Sequence, residues 1–275
     1  MIVNNSKKGR IQSDANGVIV EPWDSGRPHE GKVFAAIFPH SDDFSFFAGG
    51  TMLKMIQEGY TGYFIRVSND EMDSYDLSVG ETICRIEQEI REVAKLLGIQ
   101  KVYDLNYKNH YLDYTQLIEI RHRLIAMFRF LKVDTIISFD PWGQYEENPD
   151  HTITGKSVEA ACWMAGRPHD LPELNDMNLM PHFVMEKYYV ARRPQHANRI
   201  IDISSVLDQK RKAIAAHVTP IGNMWKVYLD RHSDGIGCFK TREEFMEASF
   251  VQDFHPPFGN IRYNEKFHYI GPSEY

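Results

Sequence analysis

The chain of 275 residues is long enough for one large α/β domain, and its 43% hydrophobic and 25% charged content is ordinary for a globular protein. The formal net charge of −7 argues against a surface that binds nucleic-acid phosphates. No apolar stretch is long enough to cross a bilayer, and we expect no secretory signal at the amino terminus. The scattered cysteines, Cys84, Cys162 and Cys238, favour reduced thiols in a cytoplasmic protein.

Buried strands and amphipathic helices alternate along most of the chain. The predicted strands are Val33–Phe38, Tyr63–Val67, Val102–Leu105, Thr135–Phe139, Glu186–Val190 and Arg199–Ile203. The predicted helices are Ser45–Glu58, Glu81–Leu97, Tyr114–Leu131, Thr152–Met164 and Ser204–His217, the last with Asp208, Lys210 and Lys212 on its solvent face. This alternation predicts an α/β fold with a doubly wound, mostly parallel sheet and flanking helices.

Two polar clusters follow separate strands of the predicted sheet. His40, Asp42 and Asp43 come after the first strand, and Asn148 and His151 come after the fourth. The carboxyl ends of parallel strands lie at one edge of the sheet, where ligands bind in such folds. We therefore expect both clusters to meet at this carboxyl edge.

Two histidines and one carboxylate, with a fourth position open, form the ligand set of a catalytic zinc site. Zinc held in this way activates water as a nucleophile, and a free carboxylate beside the site can move its proton. Asp42 is the natural candidate for that carboxylate. A single His-x-x-Asp sequence is weak evidence, and adjacent carboxylates after a strand often serve only as a helix cap. The metal hypothesis depends on the two clusters together.

The residues around these clusters resemble the PIG-L/LmbE family of de-N-acetylases. His40-Ser41-Asp42-Asp43 with Ala48-Gly49-Gly50-Thr51 is similar to the family's H-P-D-D-E…GGT signature, and Asn148-Pro149-Asp150-His151 with Gly155 is similar to its H-P-D-H-x-x-x-G motif. Ala94–Gly98, and Ile201–Ser204 with Lys210, Ala213 and His217, extend the resemblance over residues 33–217.

This resemblance implies a Rossmann-like fold and a Zn²⁺ ion on His40, Asp43 and His151. It also implies that Asp42 acts as general base in removing an N-acetyl group from a small amino-sugar substrate. Residues 32–217 would form the catalytic domain, after an extension of residues 1–31. Residues 218–275 would pack on the same domain or on a neighbouring subunit of a homo-oligomer.

Three residues depart from the family motifs. Ser41 replaces a proline, which relaxes the turn, and Phe44 replaces a glutamate, which places an apolar ring beside Asp43. Asn148 replaces a histidine that stabilises the oxyanion or the leaving amine in the family. An asparagine can donate a hydrogen bond to the oxyanion, but it cannot deliver a proton.

Other polar residues have weaker assignments. Arg85 stands near the position of a family arginine that holds substrate hydroxyls, and Asn109 follows the third strand, within reach of a sugar hydroxyl. Both are predicted to bind substrate, although a surface role for Arg85 is an equal alternative. Glu146 and Glu147 are expected to be solvated loop charges.

Three functions remain open at this point. The first is a zinc-dependent hydrolase that removes acetyl from an N-acetylglucosamine-type sugar, glycoside or glycoconjugate. The second is an amidase for a larger acyl group, with Phe44 and the aromatic carboxyl-terminal segment forming an acyl pocket. The third is a zinc-holding sugar-binding protein in which Asn148 has abolished turnover.

Overall fold

A computed structural model describes residues 12–13, 17–24, 26–192, 194–233, 239–252 and 257–272. Within these residues one sheet contains β1 Gln12–Ser13, β2 Ile19–Val20, β3 Val33–Phe38, β4 Thr61–Ser68, β5 Lys101–Tyr107, β6 Thr135–Phe139, β7 Glu186–Val190, β8 Arg199–Asp202 and β9 Asn264–Ile270. Their order is β1-β2-β8-β9-β7-β6-β3-β4-β5. Cys238 lies outside the described residues.

The helices flank this sheet. They are α1 Asp43–Gln57, α2 Val79–Leu97, α3 Leu117–Leu131, α4 Pro149–Ala165, α5 Glu173–Asp176, α6 Leu207–Ala215, α7 Val218–Arg231 and α8 Arg242–Met246. Short 3₁₀ turns cover Leu112–Tyr114 and Ser204–Val206, and a π-helical turn covers Glu247–Gln252. No helix among the described residues is both long and apolar enough to span a membrane.

The predicted α/β class is confirmed. Strands β7, β6, β3, β4 and β5 form a continuous parallel block, joined by crossovers that contain helices. Side chains of β3 alternate between two cores: Phe34, Ala36 and Phe38 face one side, and Ala35 and Ile37 face the other. Burial on both faces explains why the sequence of β3 is apolar throughout.

Several predicted helix bounds were wrong by a few residues. Helix α2 begins at Val79 because Ser78 caps it and exchanges hydrogen bonds with Glu81, which forms a capping box. The predicted helix Ser204–His217 is a 3₁₀ turn followed by α6, and α7 then begins at Val218. Gly98 ends α2 in the left-handed conformation, as the sequence predicted.

The strand β9 joins the end of the chain to the middle of the sheet. It lies antiparallel between β7 and β8, so residues near the carboxyl terminus complete the same sheet that holds the parallel block. Helix α1 packs closely on this region: a Cβ atom added to Gly50 would lie 2.6 Å from Ile203 Cγ2. The close approach explains a glycine inside a helix, where glycine otherwise costs stability.

Lys210 was predicted to be solvated, and this was wrong. Its side chain is completely buried, and its ammonium group lies 2.6 Å from Glu265 Oε1 on β9. Lys210 Nζ also donates to the Phe46 carbonyl, while the Glu265 carboxylate accepts from the backbone N–H groups of Gly50 and Thr51. This buried ion pair fastens α1 and α6 to β9. A helical pattern gives no sign of it because the partner lies far along the chain.

Removing one member of this pair should destabilise the fold. We expect Lys210→Met to lower the free energy of unfolding by about 3–5 kcal/mol, because it leaves the Glu265 charge buried without its partner. Urea unfolding followed by circular dichroism measures the change. The control is Lys212→Met on the exposed part of the same helix. Equal stability of the two variants would contradict the structural role assigned to Lys210.

Candidate metal centre and cavity

The turn between β3 and α1 places the first group of polar side chains. The His40 backbone N–H donates to Asp43 Oδ2 at 3.1 Å, and the Ser41 N–H donates to the buried Asp70 carboxylate at 2.9 Å. Asp42 is the residue before the helix, but its side chain makes no capping hydrogen bond. These contacts fix the turn and leave the Asp42 carboxylate out of the capping of α1.

The first turn of α4 places the second group. Asn148 caps this helix, since its Oδ1 accepts from the Asp150 N–H at 3.0 Å, and Pro149 occupies the first turn. The ring of His151 stacks on Phe139 at the end of β6, with 3.9 Å between the ring centroids. Packing on a core residue therefore holds the His151 ring at the carboxyl edge of the sheet.

His40, Asp43 and His151 converge on one point. His40 Nδ1 lies 3.1 Å from Asp43 Oδ2 and 3.2 Å from His151 Nε2, and His151 Nε2 lies 3.5 Å from Asp43 Oδ1. Ligand atoms around a tetrahedral zinc ion lie about 3.3 Å apart when each metal–ligand bond is about 2.0–2.1 Å long. All three side chains are buried, and their spacing and chemistry fit a small divalent metal ion.

A carboxylate lies near the second ring nitrogen of each histidine, the one that does not face the common point. Asp150 Oδ2 lies 3.5 Å from His40 Nε2, and Glu146 Oε2 lies 3.1 Å from His151 Nδ1. Carboxylates at this position fix the tautomer of a ligating histidine and increase its basicity. Because these carboxylates lie beside the opposite ring nitrogens, His40 Nδ1 and His151 Nε2 are the nitrogens directed at the common point.

Glu146 was expected to be a solvated loop charge, and this was wrong. Its side chain is only 10% exposed, and Oε1 accepts from the Asn148 N–H at 3.1 Å. Arg192 Nε lies 3.4 Å from the same oxygen. Burial opposes the effect, but contact with His151 and the charge of Arg192 lower the pKa of Glu146, which keeps it ionised.

We expect Glu146→Gln to weaken metal binding by about 10–100-fold, the usual effect of removing such an outer carboxylate. Competition with a zinc-responsive dye measures the affinity. Glu147→Gln is the matched control, because Glu147 is the exposed neighbour in the same loop. An unchanged affinity in Glu146→Gln would show that Glu146 does not orient His151.

The adjacent carboxylates Asp42 and Asp43 have opposite electrostatic surroundings. Burial, together with the charges of Asp43 and Asp73, raises the pKa of Asp42 well above its usual value. Burial acts in the same direction on Asp43, but His151 and His40 lower its pKa overall. The two neighbouring carboxylates therefore differ in proton affinity when no metal ion is bound.

An open cavity of about 280 Å³ lies above this group. Its walls come from both the parallel block and the carboxyl-terminal segment: His40, Asp42, Asp43, Phe46, Phe47, Asp73, His110, Asn148, His151, Arg192, Pro220, Asn223, Met224 and Phe250. Asp73, Arg192 and the residues of α7 were not predicted from the sequence to be part of a site. No motif marks them, because separate loops bring them to the cavity.

Three residues singled out from the sequence lie outside the cavity wall. Phe44 is fully buried and stacks on Phe64, so it cannot form the acyl pocket that the amidase hypothesis assigned to it. Asn109 is buried behind Asp73, to which its amide donates at 3.3 Å, and Arg85 is exposed on α2. Substrate binding by Arg85 and Asn109 stays a prediction.

A mostly parallel sheet that presents two histidines and a carboxylate in an open cavity has the ligand set that can hold a metal ion. A model of the PIG-L family, described as GlcNAc-PI de-N-acetylase, matches residues 35–162. Diacetylchitobiose deacetylase of Thermococcus kodakarensis is 29% identical over 210 residues, which cover 72% of this chain and 75% of that protein.

Two further comparisons agree with this match. A protein of Bacillus anthracis described as "Probable N-acetyl-alpha-D-glucosaminyl L-malate deacetylase 2" is 25% identical over 211 residues, or 73% of this chain and 86% of that protein. The structure of N,N'-diacetylchitobiose deacetylase from Pyrococcus horikoshii superposes with a TM-score of 0.72 at 25% identity, covering 91% of this chain and 88% of that one. The chain is therefore similar in sequence and fold to deacetylases of the PIG-L family.

Proposed function

We propose that this protein is a zinc-dependent hydrolase that removes the N-acetyl group from a substrate of the N-acetylglucosamine type. The observation that carries the proposal is the convergence of His40, Asp43 and His151 beside Asp42 in an open cavity. The similar deacetylases described above act, by their names, on N-acetylated sugars, and they support the substrate class.

His40, Asp43 and His151 would hold the zinc ion through Nδ1, a carboxylate oxygen and Nε2. When bound, zinc supplies Lewis acidity, which activates water and polarises the amide carbonyl. Two histidines and one carboxylate can also bind iron, cobalt or manganese. The ligand set therefore predicts one metal ion per chain more directly than it predicts that the ion is zinc.

Asp42 would take the proton from the attacking water as that water forms a bond to the amide carbon. Its lack of a capping contact and its place in the cavity wall suit this role. Asn148 uses Oδ1 to cap α4, which leaves its NH₂ group as the donor on the cavity side. That group would hydrogen-bond to the oxyanion of the tetrahedral intermediate.

A larger acyl group is the second candidate, and the cavity wall gives a specific reason to consider it. Phe46, Phe47, Met224 and Phe250 form an apolar side that could contact an alkyl chain. In this form of the amidase hypothesis, α1 and the carboxyl-terminal segment supply the acyl pocket, in place of Phe44.

A panel of matched substrates tests the proposal. One glucosamine glycoside carries either an N-acetyl or an N-hexanoyl group, and N-acetylated amino acids provide a carrier without a sugar. We expect the highest kcat/KM for the N-acetyl glycoside. A higher value for the hexanoyl glycoside would support the second candidate. Calorimetric binding of the glycosides without acid release would indicate a binding protein.

A further inference from the structure

Asp73 is an acidic group in the cavity wall to which the sequence motifs assign no role. It lies on the loop after β4 and lines the same cavity as His40, Asp42 and Asp43. Its charge is close enough to affect the pKa values of both His40 and Asp42. The carboxyl group therefore lies near the reacting part of the cavity.

Contacts from two loops hold Asp73 in place. The fully buried Asn109 donates from Nδ2 to Asp73 Oδ1 at 3.3 Å, and the Asp73 N–H donates to the Asp70 carbonyl at 3.1 Å. The Asn109 N–H in turn donates to Asn69 Oδ1 at 3.4 Å. Asn109 thus links the loop after β5 to the loop after β4 and fixes one oxygen of the Asp73 carboxyl group.

The proposed reaction needs a proton donor that the family motif does not supply here. When the C–N bond of the tetrahedral intermediate breaks, the electron pair goes to nitrogen, and the leaving amine must gain a proton. Asn148 stands where the family has a histidine, and an amide cannot deliver a proton. Asp42 holds the proton taken from water and is one candidate donor, and Asp73 in the same cavity wall is a second.

We propose that the Asp73 carboxyl group donates the proton to the leaving amine, an inference that rests on the proposed deacetylase function. The C–N bond breaks, the proton passes from Asp73 to nitrogen, and the free amine and acetic acid are formed; the acid then loses its proton to solvent and leaves as acetate. Asp42 then releases the proton taken from water, and Asp73 regains one from solvent, so the protons balance over one cycle.

The surroundings of Asp73 agree with this role. Burial and the Asp70 carboxylate raise the pKa of Asp73 to about 7, although His40 opposes them. His110 is a further candidate acid in the cavity wall. Partial desolvation of its ring, together with the charge of His40, lowers its pKa, which disfavours the protonated form.

A proton donor and a residue that only shapes the site differ in how their substitution affects kcat for substrates with different leaving groups. We compare Asp73→Asn with His110→Gln and with Asp113→Asn, an exposed control. The substrates are the N-acetyl glycoside, whose amine must be protonated, and p-nitrophenyl acetate, whose phenolate leaves without a proton. We expect Asp73→Asn to lower kcat for the amide by about 100-fold, with kcat for the ester and the metal content close to wild type.

Equal losses on both substrates, or no loss on the amide, would overturn the role of Asp73. So would the same split in His110→Gln, because it would assign the proton to that residue. Wild-type protein that binds zinc yet releases no acetate from any N-acetyl sugar would overturn the proposed function itself. An active wild type with an unaffected Asp73→Asn variant overturns this inference alone.

Discussion

Asp42→Asn should lower kcat by at least about a hundredfold while the protein keeps one metal ion per chain. An asparagine preserves the size of the side chain, but it cannot accept the proton of the attacking water. The side chain lies in the cavity wall and does not cap α1, so the fold should tolerate the change. Acetate release and metal analysis of the same sample measure the two quantities.

Asp113→Asn, an exposed aspartate on a nearby turn, is the control for this variant. Turnover within a fewfold of wild type would remove Asp42 from the mechanism. Loss of the metal with loss of turnover would instead exchange the roles of Asp42 and Asp43, because it would make Asp42 a ligand.

Removal of a metal ligand should have an even larger effect. In His151→Ala and in Asp43→Ala, we expect the bound metal to fall from one ion per chain to nearly none, and acetate release to disappear. Each variant removes one of three ligands whose donor atoms lie 3.1–3.5 Å apart. Elemental analysis after dialysis against a weak chelator measures the loss.

His169→Ala is the control, because this histidine is exposed on the surface after α4. The stack of His151 on Phe139 is also lost in His151→Ala, so circular dichroism must show that the variant is folded. Asp43→Ala, which keeps that stack, provides a second test. A folded variant with full metal content would refute the assignment of that ligand.

The carboxyl edge of the sheet could be predicted from the sequence because its causes are local. The apolar run of β3 and the turn at His40–Asp43 specify a strand that ends in polar side chains, and the cluster Asn148–His151 does so after β6. Parallel pairing of β3 with β6 then brings the two clusters together. The structure places His40, Asp43 and His151 within ligand distance of one another.

The errors arose where burial depends on a partner distant in the chain. Lysine usually lies at the protein surface, and Lys210 is buried because it pairs with Glu265 on β9. The sequence of β9 mixes charged and aromatic residues, so it has no clear period. Glu146 became an outer partner of the metal group because His151 and Arg192 surround it.

The direction of a side chain on a helix explains the error at Phe44. Successive residues of a helix point about 100° apart. Asp43 can therefore face the cavity while Phe44 turns into the core against Phe64. The cavity wall from α7 and from Phe250 was not predicted either, because the last fifty or so residues gave no reliable pattern.

The most direct test of the account follows the acetate methyl signal by proton NMR during a zinc titration of metal-free protein with an N-acetylglucosamine glycoside. We predict that no acetate is released without zinc and that the rate of release rises until one zinc ion is bound per chain. Acetate release should stop after a chelator is added. Acetate release at the same rate by metal-free protein would contradict the account. So would a protein that holds one zinc ion per chain and releases no acetate.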